Sequence, residues 1–136
     1  MKDLVNKLGE KIITITKDEN LSLSESISLL EEIETYVLDA LVCEHESCKP
    51  GERYVLKFEG YLEKYSSKKI AYSLERAASA LGDNSYINQS DISLIVRDVE
   101  RNFGSRVVIK SSELRKWVKD SLDTNGYGFL KEKYSG

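Results

Sequence analysis

A chain of 136 residues, 40% hydrophobic and 32% charged with one proline and eight glycines, has the make-up of one soluble globular domain with or without a helical extension; fibrous, proline-rich and low-complexity classes are excluded. No apolar run approaches the ~18 residues of a membrane span, and the opening MKDLVNKLGEK lacks the apolar core of a secretory signal, so a cytoplasmic location is expected. The net charge of −3 is uneven: residues 1–50 hold 5 Lys/Arg against 11 Asp/Glu and residues 51–136 hold 15 against 12, which suggests an acidic unit and a mildly basic one, neither with the block of like charge that nucleic-acid binding favours.

Residues 2–15 mix signals, opening as a short helix and running on through Ile12, Ile13 and Ile15. After the polar break Lys17-Asp-Glu-Asn20, Ser22 and Glu25 have the spacing of a capping box. Leu23, Ile27, Leu30, Ile33, Val37, Ala40 and Leu41 then recur at three and four, the period of an amphipathic helix over 22–44. Its other face carries Glu25, Glu31, Glu32, Glu34 and Asp39, and its stripe is expected to pack into a core, with pairing to a partner helix as the lesser use. Cys43, His45 and Cys48 stand close enough to raise zinc, but a structural zinc takes four ligands and this cluster offers three. The expectation is therefore two reduced thiols and a solvated histidine, with no metal. Residues 45–53, with Pro50-Gly51, read as a linker separating an acidic helical extension (1–50) from a second domain (53–136).

In the second part, Tyr54-Val-Leu-Lys57-Phe58 and Tyr61-Leu-Glu63-Lys64-Tyr65 flank Glu59-Gly60, which predicts a β-hairpin with a two-residue turn. Ser66 or Ser67 would cap a helix carrying Ile70, Leu74, Ala77, Ala78 and Leu81 up to Gly82. Ser90 or Asp91 would cap the next, with Ile92, Ile95, Val96, Val99 and Phe103. Arg106 to Lys110 reads as a third strand, Ser111 and Ser112 open a helix with Leu114, Trp117, Val118 and Leu122, and Tyr127 to Tyr134 reads as a last short helix. The expected class is α+β, mainly helical: a helical bundle capped by a β-hairpin or three-stranded sheet, behind a helical N-terminal extension.

The run Val55-Leu-Lys57-Phe58-Glu59-Gly60, then Glu63, then Lys69-Ile70, resembles the ATP-cone, a regulatory nucleotide-binding domain of ribonucleotide reductases and of the bacterial repressor of reductase genes. The later runs Ile95-Val96 with Val99-Glu100, Ile109 to Leu122, and Gly126-Tyr127 with Tyr134 are similar to the family's remaining segments, so the resemblance covers about residues 53–134. It implies ATP or dATP as ligand, free or with Mg2+, and no redox cofactor. Val55 and Ile70 would wall the purine, Lys57 and Lys69 would face the triphosphate, and Glu63 would hydrogen-bond the nucleoside. Glu59 stands where the family usually has aspartate and would shape the turn. Phe58 stands where the family has arginine; its ring cannot bind phosphate, and it would either stack on a base or sit buried in the hairpin.

No paired nucleophile and base and no Walker-type glycine loop is present, so an enzyme is not expected. The leading expectation is a stand-alone nucleotide-controlled regulator that changes oligomeric state or partner through helix 22–44. The alternatives are an ATP-cone that has lost its ligand and serves as a protein-interaction or assembly module, and, ranked below it, a transcriptional regulator. Nucleic acid and membrane are not expected partners.

Overall fold

The structure, a computed structural model, describes residues 1–46, 48–82 and 86–134. The apolar periodicities become α1 (Lys2–Asp18), α2 (Leu23–Glu46), β1 (Tyr54–Leu56), β2 (Leu62–Lys64), α3 (Ser67–Ala80), α4 (Gln89–Arg101), β3 (Val108–Lys110), α5 (Ser111–Thr124) and a closing 3-10 turn, Gly128–Leu130. The class is α+β and mainly helical, as the residue pattern predicts. No helix among the described residues is long and apolar enough to cross a membrane.

The chain divides into two compact units, Met1–Leu41 and Val42–Gly136. In the first, the mixed stretch of residues 2–15 is helical throughout and continues to Asp18. Leu4, Val5, Leu8, Ile12 and Ile15 lie at helical spacing, and that period outweighs the strand preference of the isoleucines. Asn20, at φ +54°, turns the chain in a conformation that asparagine tolerates. The Ser22 hydroxyl then accepts the Glu25 N–H at 3.2 Å, one arm of the predicted capping box. The expected core packing of the 22–44 stripe does not occur: Leu23, Ile27, Leu30, Val37 and Leu41 are exposed. The physical reason is that α1 and α2 do not pack along each other, so neither covers the other's stripe.

The second unit is built on a three-stranded sheet of order β2-β1-β3. β1 and β2 are antiparallel, with Val55 opposite Glu63, and β3 runs parallel to β1, with Ile109 opposite Val55. The hairpin turn is centred one residue earlier than predicted. Gly60 N–H donates to Lys57 O at 2.9 Å, so Phe58 and Glu59 are the corner residues and Gly60, at φ +92°, takes the left-handed position that rejoins the strand.

Helices α3, α4 and α5 bury one face each, through Ile70, Leu74 and Ala77, through Ile92, Ile95 and Val99, and through Val118 and Leu122. Phe103, Ile109, Leu130 and Tyr134 close the same core. Tyr65 meets Phe103 edge-on with ring centroids 4.8 Å apart, and Arg53 lies over the Phe103 ring at 5.3 Å.

The helix starts differ in detail from the sequence expectations. Asn88, rather than Ser90 or Asp91, caps α4, its side-chain oxygen accepting the Asp91 N–H at 2.9 Å. Asparagine is as good a cap as either, and its extended backbone decides the matter. At the start of α5 the Glu113 carboxylate accepts the Lys110 N–H at 3.1 Å and a two-pronged bond from Arg106 at 2.7 and 2.8 Å. The Arg106 guanidinium and that N–H hold the Glu113 carboxyl below the usual carboxylate range. The last predicted helix is reduced to the 3-10 turn, which Tyr127 ties to α4 by donating its hydroxyl proton to Asp91.

Candidate functional site

Two periodicities meet at one place on the second unit. Along the hairpin, alternation puts Val55 and Lys57 of the first strand and Glu63 and Tyr65 of the second on one face. Along α3, helical spacing puts Ser66, Lys69, Ile70 and Ser73 on the face that meets it. These residues, with Lys64, Leu114 of α5 and Tyr134, line a small cleft of about 50 Å3 that is partly open to solvent. Ligand sites that enclose their ligand run to roughly 300–1,000 Å3, so a nucleotide here would lie across the mouth of the cleft with only part of it enclosed.

Five of the six residues singled out from the resemblance, Val55, Lys57, Glu63, Lys69 and Ile70, line this one cleft. Val55 and Ile70 are buried at its floor. Glu63 sits between the two lysines, 3.4 Å from Lys57 Nζ and also in contact with Lys69 Nζ. Its side chain is 25% exposed, so the triad lies at the mouth of the cleft and not in the interior. Lys64, the next cation, is paired with Glu52 at 2.9 Å, a pair reinforced by the Tyr54 hydroxyl, which donates to the other Glu52 oxygen at 2.9 Å. The Lys64 ammonium and that hydroxyl hold the Glu52 carboxyl below its ordinary value.

Phe58, the sixth, is elsewhere. As a corner residue of the turn it is 98% exposed and is not among the residues lining the cleft. The expectation of a buried hairpin aromatic is therefore corrected: the corner position points its side chain to solvent. A ring stacked on a base bound in the cleft would need the turn to move.

Residues not singled out as site residues in the sequence also contribute walls. Tyr65 is legible in the alternation, two residues beyond Glu63, and Ser73 is legible four residues beyond Lys69. Leu114 and Tyr134 reach the cleft from distant parts of the chain, and no local spacing announces them. Burial pushes the Tyr134 hydroxyl up to about 12. Burial and then the charge of Glu100 push Tyr65 well above the ordinary tyrosine value. Both phenols therefore stay neutral at physiological pH.

Chemically, the cleft offers an apolar floor, two ammonium groups held apart by one carboxylate, and serine hydroxyls at the start of α3. Ser66 is the N-cap of that helix and makes no side-chain capping bond, so the N–H groups of the first turn, with the positive end of the helix dipole, lie beside the lysines. Such an arrangement suits an anion attached to a flat apolar group. Cys43 and Cys48 form no disulfide, and among the described residues no three His, Cys, Asp or Glu side chains gather as a metal site.

No protein-family model and no curated protein matches the chain.

Proposed function

We propose that residues 53–134 are an ATP-cone-like regulatory module that binds ATP or dATP, free or with Mg2+, in the Lys57–Glu63–Lys69 cleft, and that occupancy switches the oligomeric state or partner of a cytoplasmic protein that is not itself an enzyme. The observation that carries this reading is the convergence of Val55, Lys57, Glu63, Lys69 and Ile70 on one cleft. The purine would lie on Val55 and Ile70, and the phosphates would take Lys57, Lys69 and the N-terminus of α3. In doing so they would displace Glu63 from the ammonium groups, leaving its carboxylate to accept a hydrogen bond from the nucleoside. A ligand bound this way shifts an assembly equilibrium only by its difference in affinity for the two assemblies.

A second reading has its own support. Glu63 already pairs with both lysines and cancels half of their charge, and the position of the family's arginine holds the solvent-facing Phe58. Both features favour an ATP-cone fold that has lost its ligand and keeps a protein-interaction or assembly role.

Thermal unfolding of the full chain with ATP, dATP, GTP or no nucleotide separates the two. A ligand at ~100 times its dissociation constant adds about 2.7 kcal/mol, a rise of several degrees in Tm at this size. The first reading expects a rise with adenine nucleotides that Lys57→Ala with Lys69→Ala abolishes, and a change in mass on nucleotide binding. No rise with any nucleotide, in a protein that melts cooperatively, overturns it in favour of the second.

A further inference from the structure

The charged groups at the cleft mouth are arranged around a carboxylate. Lys57 and Lys69 bring two positive charges and Glu63 one negative, and Glu63 occupies the centre: one of its oxygens lies 3.4 Å from Lys57 Nζ and the other contacts Lys69 Nζ. The fold fixes this placement. Val55 is opposite Glu63 across the hairpin, so Lys57, two residues further along the same face, is the diagonal neighbour of Glu63. Lys69 comes from the first turn of α3. The next cation along the strand is already engaged, because Lys64 pairs with Glu52 at 2.9 Å. The Lys57 and Glu63 side chains are 26% and 25% exposed, against 62% for Lys69. Two of the three groups have therefore lost most of their water, the condition under which a charge deprived of its partner is costly.

This arrangement bears on which anions the cleft can take. A bare polyphosphate has to part both ion pairs, and it then leaves a mostly covered carboxylate beside its own like charge with nothing donating to it. Such a repulsive element discriminates between ligands that the lysines alone would attract equally. An anion joined to a group with N–H or O–H donors meets the same lysines but gives the carboxylate a new partner. A flat apolar part also gains by covering Val55 and Ile70 at the floor.

We infer that Glu63 is the specificity-determining residue of the cleft: as the built-in counter-ion of Lys57 and Lys69 it excludes inorganic polyphosphates, and it admits an anion only when a hydrogen-bond donor attached to that anion reaches the carboxylate. The inference deepens the nucleotide reading of the cleft and rests on it for the identity of the ligand, while exclusion of the bare anion is scored on its own.

The test is calorimetric titration of the full chain with ATP and with inorganic tripolyphosphate, which has the phosphate chain of ATP without base or sugar. The unaltered chain is expected to bind tripolyphosphate at least about tenfold more weakly than ATP. Glu63→Gln, which keeps the size of the side chain and removes its charge, is expected to tighten tripolyphosphate at least about tenfold and to narrow the gap to ATP. Glu63→Ala is expected to show the same gain, and each variant is first shown to melt cooperatively. Adding Lys57→Ala to Glu63→Gln should cancel the gain, which locates the anion at these lysines. Tripolyphosphate that binds the unaltered chain as tightly as ATP overturns the inference and leaves the nucleotide reading standing. Folded Glu63 variants that gain no affinity for tripolyphosphate, or a gain that survives Lys57→Ala, overturn it as well, whatever ATP does. If the variants gain tripolyphosphate while the unaltered chain takes neither ligand, the exclusion stands and the nucleotide reading fails.

Discussion

Helices α3, α4 and α5 bury their apolar faces together, and Leu74, Ile95, Val99, Val118 and Leu122 are fully covered around Phe103. The stripes of α1 and α2 are as regular in sequence, yet Leu4, Leu8, Ile15, Leu23, Ile27 and Leu30 lie open. The contrast separates two things that amphipathicity is often asked to report at once. Periodicity identifies the face that gains by leaving water; it carries no information on whether the cover comes from the same chain. In Val42–Gly136 the cover is present because strands and short connections return each helix to the next. In Met1–Leu41 there are only two helices and one turn, and nothing else in that unit to return.

The largest test of this contrast is a matched pair of truncations. Phe103→Ala and Leu74→Ala should each cost about 3–5 kcal/mol in chemical denaturation, through lost transfer energy and the cavity left behind. Leu8→Ala, an exposed position of the same chemical type, should leave the transition of the second unit within about 0.5 kcal/mol. Equal costs at Phe103 and Leu8 would break the comparison.

Smaller, and specific to the second unit, is the Arg106–Glu113 fork. Glu113→Gln should cost about 1.5–3 kcal/mol, the usual range for hydrogen bonds to charged groups. The Glu113 carboxyl is held below its ordinary 4.5 in the folded protein, so its contribution is present above that pH and is lost as pH falls through the lower, folded value. An acid titration of stability should therefore show a loss below about pH 4.5 that is reduced in Glu113→Gln.

The opposite sign applies to Tyr134. Its ionisation is raised by burial from 10.0 to about 12, so the stability it confers is present below pH 10 and is lost as pH climbs towards 12. Tyr134→Phe should remove that alkaline limb, monitored by circular dichroism, while leaving neutral-pH stability little changed. A limb of unaltered depth in Tyr134→Phe would mean that another group titrates there.

The smallest stability effect is expected at the hairpin corner, where Phe58→Ala should stay within about 0.5 kcal/mol. The informative change there is Phe58→Arg, which adds a phosphate donor where the ATP-cone pattern has one. It should raise the ATP-induced shift in Tm above that of the unaltered chain. A smaller shift would count against the nucleotide reading of the cleft.

Much of the second unit was legible because its signals are local. The stripe from Ile70 to Ala78, that from Ile92 to Val99 and that from Leu114 to Leu122 each span a few turns, and Gly60 and Gly126 both take the positive φ of a turn. Half of the cleft was legible for the same reason: Val55 and Lys57 alternate, and Lys69 and Ile70 share one helix turn. The corner position of Phe58 was misjudged because a hairpin turn moved by one residue exchanges a strand side chain for a loop one. The cap of α4 was misplaced by two residues because Asn88, Ser90 and Asp91 are all competent caps, and only the backbone conformation selects among them.

By itself, then, the order of residues determined where helices and strands form and which face of each is apolar, since these depend on neighbours within a few positions along the chain. Tertiary structure alone decided three further matters. It brought Leu114 and Tyr134 to the same cleft as Lys57 and Lys69. It set Glu63 in contact with both lysines, where hairpin neighbours alone would have offered it Lys57 or Lys64. It left the seams of α1 and α2 open while closing those of α3, α4 and α5. Each of the three depends on distances between residues far apart in sequence, and no local pattern encodes such a distance.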